Sequence, residues 1–145
     1  MAVEVEVFTH QQPNRLLVCR LAAWVMRTLT GVSGVDAAIR EDEFDVWRIQ
    51  WGTSVSAQVV ELPPGRYEFA DRWSIGVTPF ERGIDLGKIF AVVVADAVAV
   101  LADGYIRDEV GLVGGGEVPG GQSLARLLRY PSQNEAELLE LLKTI

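Results

Sequence analysis

The residues that could carry chemistry are few in this chain of 145 residues. Its one histidine, His10, stands in the polar stretch THQQP, where a solvated loop residue is a simpler interpretation than a general base. Its one cysteine, Cys19, falls in a predicted helix beside Val18, which favours a small buried hydrophobe over a nucleophile. Together they supply too few ligands for a zinc site. We therefore expect no catalytic set, no metal and no cofactor.

A glycine-rich segment, Gly116 to Ser123, reads GEVPGGQS and has the glycine spacing of a phosphate-binding P-loop. Gln122 stands where such a loop needs its lysine, and Glu117 places a negative charge where phosphates would sit. A flexible connection is therefore the better interpretation of this segment.

The acidic residues are more suggestive, because several cluster in the segment EDEFD while the chain as a whole has a formal net charge of -7. Such a charge repels nucleic acid and anionic membranes and attracts a basic protein. We expect a recognition patch, anchored by whichever of Phe44, Trp51, Tyr67 and Trp73 is exposed. The alternative is a uniformly acidic surface that only maintains solubility. The candidate partner-binding residues are Glu41, Asp42, Glu43, Asp45, Asp71, Asp108 and Glu109.

Length and the N-terminus bound the class of protein. A chain of this length makes about one domain, so we expect a single domain over residues 1–145. The N-terminal MAVEVEVF carries Glu4 and Glu6 where an export signal would carry basic residues, and it alternates instead of running apolar. We therefore expect a cytoplasmic location, which a single cysteine also fits.

The elements that must position these residues begin with a long apolar stretch. Residues 84–102 predict one helix whose exposed stripe holds Asp85, Lys88 and Asp96, and the charge of Asp96 counts against a membrane span. Gly104 suits the left-handed turn that ends such a helix, and a strand should follow from Tyr105.

Two segments, 44–51 and 55–61, predict a hairpin whose register can be argued. A three-residue loop from Gly52 to Ser54 pairs Trp51 with Val55 and keeps one face apolar, whereas a two-residue loop does not. The opposite face then carries the polar side chains of Arg48, Gln50, Ser56 and Gln58.

The remaining segments complete an alternating order. Residues 3–7 predict a half-buried strand, and the next helix should have Pro13 in its first turn and end at Gly31. We expect this helix to bury Leu17, Leu21, Trp24, Val25 and Thr28. Further strands are expected at 35–39 and 73–78, and Pro131-Ser132 with Glu135 should open a last helix. The order resembles an α+β ferredoxin-like sandwich with an extended antiparallel meander and an added C-terminal helix.

The segment LADGYIRDE, in a small acidic α+β chain without a catalytic set, resembles small bacterial proteins that include the immunity proteins of polymorphic and contact-dependent toxin systems. That resemblance implies a cytoplasmic protein that occludes the active site of a cognate toxin. We therefore expect a non-enzymatic protein-binding module with a basic partner.

Two alternatives stay open at this point. The first is a small-molecule-binding or enzymatic domain whose pocket lies on the open sheet face under the glycine-rich segment. The second is a structural subunit that forms a homodimer through a sheet edge or through the apolar helix.

Overall fold

The computed structural model of the chain describes residues 5–31, 34–52, 55–62, 73–79, 85–108 and 116–129. Seven strands and three helices lie in these residues. The strands are β1 (Val5–Thr9), β2 (Ala37–Asp42), β3 (Val46–Trp51), β4 (Val55–Leu62), β5 (Trp73–Pro79), β6 (Gly104–Asp108) and β7 (Gly116–Pro119). The helices are α1 (Arg15–Thr30), α2 (Asp85–Leu101) and α3 (Gln122–Arg129).

The described strands form one sheet in the order β2-β3-β4-β5-β1-β6-β7, and every neighbouring pair is antiparallel. The hairpin of β3 and β4 has the predicted register, with Trp51 opposite Val55 and Trp47 opposite Val59. The α+β class is thus confirmed. The ferredoxin-like description is a finer statement and remains a proposal. The predicted C-terminal helix lies outside the described residues.

The three helices pack on one face of the sheet. Helix α2 lies against β1, β4, β5 and β6, α1 packs on α2 and β2, and α3 contacts both helices and β7. The strand register places one set of sheet side chains on the face that carries the helices. These side chains are fully or almost fully buried: Val5, Val7, Trp47, Ile49, Trp51, Ala57, Val59, Ile106 and Val118.

Helix α1 begins and ends with recognisable caps, but it is rotated from the predicted orientation. Asn14 is the N-cap and accepts a hydrogen bond from the Leu17 amide, so Pro13 precedes the helix instead of lying in its first turn. Gly31 ends it in the left-handed conformation, as predicted. Of the five residues predicted to be buried, Val25 is buried and Leu21 is partly buried, whereas Leu17, Trp24 and Thr28 are exposed. The buried residues are Val18, Cys19, Ala22, Ala23, Val25, Met26 and Leu29.

Helix α2 covers the residues predicted for it, but one residue of its predicted exposed stripe is buried. Asp96 was expected at the surface and is instead completely buried. Its Oδ1 accepts from the Gly121 amide at 2.9 Å and its Oδ2 from the Leu124 amide at 2.8 Å, so this carboxylate caps the N-terminus of α3 from another helix. Burial raises the pKa of the Asp96 carboxyl, and backbone hydrogen bonds from Gly121, Ser123 and Leu124 oppose that shift.

The glycine-rich segment is therefore ordered, and its interpretation as a flexible connection was wrong. Residues 116–119 form β7 and residues 122–129 form α3. A Cβ atom on Gly120 would lie 2.8 Å from the backbone of Ala99, so the absence of a side chain permits close packing of this turn on α2. The amides that would hold a phosphate in a P-loop hold the Asp96 carboxylate instead.

The turn between α2 and β6 also differs from expectation. Asp103, not Gly104, takes the positive φ, at 55°. Gly104 is the first residue of β6, where a Cβ atom would lie 2.1 Å from the carbonyl oxygen of Phe8. Glycine is required there because β6 approaches β1 so closely.

Candidate partner-binding site

The five residues 41–45, here called the acidic turn, join the end of β2 to the start of β3. A register shift between Ile39 and Glu41 changes which way the side chains of β2 point. As a result Glu41 lies opposite Arg48, with its Oε1 3.4 Å from an Arg48 nitrogen, while Asp42 lies opposite Trp47 on the helix-bearing face. Without the bulge Glu41 would lie opposite Trp47; with it, Asp42 is the carboxylate on the helix-bearing face and Glu41 lies on the other face.

Arg15, the first residue of α1, binds the acidic turn. Its guanidinium donates to the Asp42 carboxylate, to the carbonyl oxygen of Glu43 at 2.5 Å and to that of Phe44 at 2.7 Å. The planar fork of an arginine can donate several such bonds in fixed directions. Two further bonds connect the turn internally and to β4, from the Glu43 amide to the Val46 carbonyl and from the Glu61 amide to the Asp45 carbonyl. The backbone of the turn is therefore tied to α1 and β4.

The guanidinium of Arg15 is itself held in a largely buried environment. Its Nη2 lies 3.4 Å from Oε1 of Glu61, whose side chain is 5% exposed. Its Cζ lies 5.3 Å from the ring centroid of the fully buried Trp47, within the range of a cation–π interaction. Moving the Arg15 guanidinium away from Glu61 and Trp47 would be costly, because the buried Glu61 carboxylate would then lack its cation.

Phe44 projects from this fixed turn with 93% of its surface exposed. The neighbouring side chains of Glu43 and Asp45 are exposed as well. Leu16 and Leu17 follow Arg15 in the first turn of α1 and are 54% and 46% exposed. The helix residue that binds the turn is thus followed in the chain by two exposed apolar side chains, and the turn itself displays an aromatic ring among carboxylates.

Such a composition matches the centre and rim of a protein interface. Aromatic side chains are typical anchors of binding energy, and a surrounding rim of polar groups excludes water and selects the partner by charge. The candidate site is therefore the acidic turn, and Leu16 and Leu17 are added to it as exposed apolar residues that follow Arg15 in the chain.

Four of the seven predicted partner-binding residues, Glu41, Asp42, Glu43 and Asp45, lie in the acidic turn because they are neighbours in the chain, and Glu41 and Asp42 point to opposite faces of the sheet. Asp108 is the last residue of β6, four strands from β3 and so roughly 19 Å away across the sheet. Asp71 and Glu109 lie outside the described residues. Among the predicted aromatic anchors, Phe44 is exposed and Trp51 is buried, while nothing is described of the Tyr67 and Trp73 side chains.

The residues considered for catalysis lie apart from the acidic turn. Cys19 is buried in α1, and burial, reinforced by the negative charge of Asp36, raises the pKa of its thiol. His10 is exposed after β1. Over the residues that the structure describes, no group of three or more His, Cys, Asp or Glu side chains is arranged to hold a metal ion. No helix in the same residues is long and apolar enough to cross a membrane.

The polar face proposed for a small-molecule pocket has the predicted pairing, with Arg48 opposite Gln58 and Gln50 opposite Ser56. The glycine-rich segment does not cover it, because β7 and β4 are separated by three strands of the sheet. A cavity does adjoin β7, but other residues line it.

Sequence reasoning missed Arg15, Glu61 and Leu16. Arg15 opens a predicted helix 27 residues before Asp42, and no local pattern connects the two positions. The available signal was Glu61, a carboxylate at an inward-facing position of the hairpin, which calls for a cation from another element.

Comparison with known proteins adds no relative to this description: no protein-family model matches the chain, and neither a curated protein nor a solved structure shows significant similarity to it.

Proposed function

We propose that the protein is a non-enzymatic binding module that engages a basic protein through the acidic turn, with Leu16 and Leu17, which follow Arg15 in α1, as further apolar contacts. The observation that carries this proposal is the 93% exposure of Phe44 in a turn whose backbone is fixed by Arg15. An exposed aromatic ring on a fixed backbone loses little conformational entropy on binding, which makes it an effective anchor.

The chemistry of the partner follows from the surface. The partner would present an apolar depression for Phe44, surrounded by Lys or Arg side chains that meet Glu43 and Asp45. A toxin domain with a basic active-site cleft fits this description, so we propose the class of cytoplasmic bacterial immunity proteins. The net charge of -7 supports the same class, because it raises the encounter rate with a basic partner.

The proposal also includes a finer description of the fold that carries this site. We propose a ferredoxin-like arrangement in which β4, β5, β1 and β6 are the basic four strands. Two features support it: β1 lies between β5 and β6, the strands that α2 connects, and α1 and α2 pack on the same face. Strands β2 and β3 then form the extension of the meander that presents the acidic turn.

The test uses the intact protein and the product of the gene adjacent to its own, which toxin-immunity pairs place side by side. Association and dissociation rates of the two purified proteins are measured by surface plasmon resonance over a range of salt concentrations. The association rate should fall as salt rises, because the Debye length is about 8 Å at physiological ionic strength, while dissociation should change much less. Phe44→Ala should weaken binding roughly 30-fold, the equivalent of about 2 kcal/mol for an interface anchor.

Two variants separate the parts of the site. Replacing Glu43 and Asp45 by their amides should slow association and leave dissociation nearly unchanged. The matched control is Trp24→Ala, which removes an exposed aromatic side chain nine residues further along α1 than Arg15. The proposal fails if Phe44→Ala binds as tightly as the wild type, or if the Trp24 control weakens binding to the same extent.

A further inference from the structure

A cavity of about 320 Å³ lies at the opposite edge of the sheet from the acidic turn, next to β6 and β7. It is lined by His10, Asp103, Gly104, Tyr105, Glu117 and Pro119. Tyr105 and Pro119 are register partners and Glu117 lies two residues from Pro119, so all three share the face that carries Phe8, away from the helices. The volume is at the lower end of the range for small-molecule sites.

The walls of this cavity are held in place by contacts between the elements that form them. The Tyr105 ring stacks on the Phe8 ring with centroids 5.3 Å apart. The His10 amide donates to the Asp103 carbonyl at 3.1 Å, and the Gly120 amide donates to the Gly104 carbonyl at 3.0 Å. The end of β1, the α2–β6 turn and the end of β7 are thus joined by backbone bonds. A ligand would meet a cavity that is already formed, and little ordering would be required.

The side chains around the cavity favour a cation. Asp103 and Glu117 are exposed carboxylates, and Tyr105 offers an aromatic ring. Among the described residues no lysine or arginine lines the cavity, although Arg107 lies opposite Glu117 in the ladder and supplies a positive charge nearby. Carboxylates attract an ammonium group. The face of an aromatic ring adds to this attraction when the ammonium group carries organic substituents. Because the face of the Tyr105 ring favours a cation that carries organic substituents, we take the cation to be organic.

We propose that this cavity binds a small organic ammonium compound, with Asp103 and Glu117 as counter-charges and Tyr105 as the aromatic wall. The site is independent of the acidic turn, since the two lie at opposite edges of the sheet.

The experiment titrates the protein with benzyltrimethylammonium, and with uncharged benzyl alcohol and anionic benzoate as matched probes, while backbone amide shifts are followed by NMR. The ammonium probe should shift the amides of Gly104, Tyr105 and Glu117 in a saturable way, and the other two probes should bind more weakly. Glu117→Gln and Asp103→Asn should each raise the Kd about twofold to fivefold, as expected for exposed charge contacts. Glu43→Gln, on the opposite edge, should leave the Kd unchanged.

Tyr105→Leu should weaken the ammonium probe more than the alcohol, and its folding is checked by its melting temperature. The charge variants decide the question even if that variant does not fold. Equal binding of benzyl alcohol and the ammonium probe, an unchanged Kd in the Glu117→Gln, Asp103→Asn double variant, or no saturable shift with any probe would each overturn the proposal.

Discussion

Replacing Asp96 by alanine tests the most unexpected contact in the fold. The carboxylate is fully buried and accepts backbone hydrogen bonds from Gly121, Ser123 and Leu124. Gly121 is partly exposed, so its amide can find water, but Ser123 and Leu124 are buried. Two orphaned donors at about 1–3 kcal/mol each would give a gross loss of about 2–6 kcal/mol. Because the alanine variant no longer buries a carboxylate, we expect a net loss of about 2–4 kcal/mol.

The assay is urea unfolding at neutral pH, followed by the fluorescence of the four tryptophans. Asp96→Asn keeps one acceptor oxygen and should lose about 1–2 kcal/mol, between the wild type and alanine. The control is Glu43→Ala, an exposed carboxylate whose removal should change the free energy of unfolding by no more than about 0.5 kcal/mol. If Asp96→Ala unfolded at the same urea concentration as the control, the carboxylate would not be holding α3, and our account of the glycine-rich segment would be refuted.

Three further predictions concern the same core. Burial raises the pKa of Asp96, so its contribution is fully present below the unfolded pKa of about 3.9 and is lost as pH rises through the higher folded value. The free-energy advantage of the wild type over Asp96→Asn should therefore shrink as pH rises through that window, and a difference that grew with pH in urea titrations would contradict this sign. Gly104→Ala places a Cβ atom 2.1 Å from the Phe8 carbonyl and should cost about 3 kcal/mol or more by thermal unfolding, whereas Gly34→Ala, with nothing within 4 Å but a positive φ, should cost about 1–2 kcal/mol. Val93→Asp should prevent soluble expression because Val93 is fully buried, while Val100→Asp should be tolerated because Val100 is 44% exposed; equal yields of the two proteins would mean that α2 is oriented differently.

Local patterns predicted the parts of the fold that local physics decides. The register of β3 and β4 followed from keeping Trp47, Ile49 and Trp51 opposite apolar residues, and the structure has that register. Gly31 ends α1 as its conformational freedom suggested. The α+β class followed from the order of such segments.

The errors arose where a distant element decided the outcome. The sequence did not decide which face of α1 is buried. A helix turns by about 100° per residue, so the face that contains Leu17 and the face that contains Val18 are different but similarly hydrophobic. The face with Val18 is buried because α2 and β2 lie on that side of the helix. Asp96 was placed at the surface because a lone carboxylate is costly to bury, and the compensating amides are 25 and 28 residues away in the chain. The place of the acidic turn at the start of the hairpin follows from its position in the sequence, but its support by Arg15 was not foreseeable from spacing.

Arg15 makes the shape of residues 43 and 44 independent of their identity. It binds these two residues through their carbonyl oxygens, and every amino acid supplies that atom. Replacement of either side chain would alter charge, size and hydrophobicity while the backbone kept its path, provided that Arg15, Asp42 and Glu61 were retained. The conformation of residues 43 and 44 therefore depends on Arg15 and its partners, whereas the chemistry that these two residues display depends on their own side chains. A few point substitutions at positions 43–45 would therefore change the chemistry that the turn displays without a new fold having to evolve.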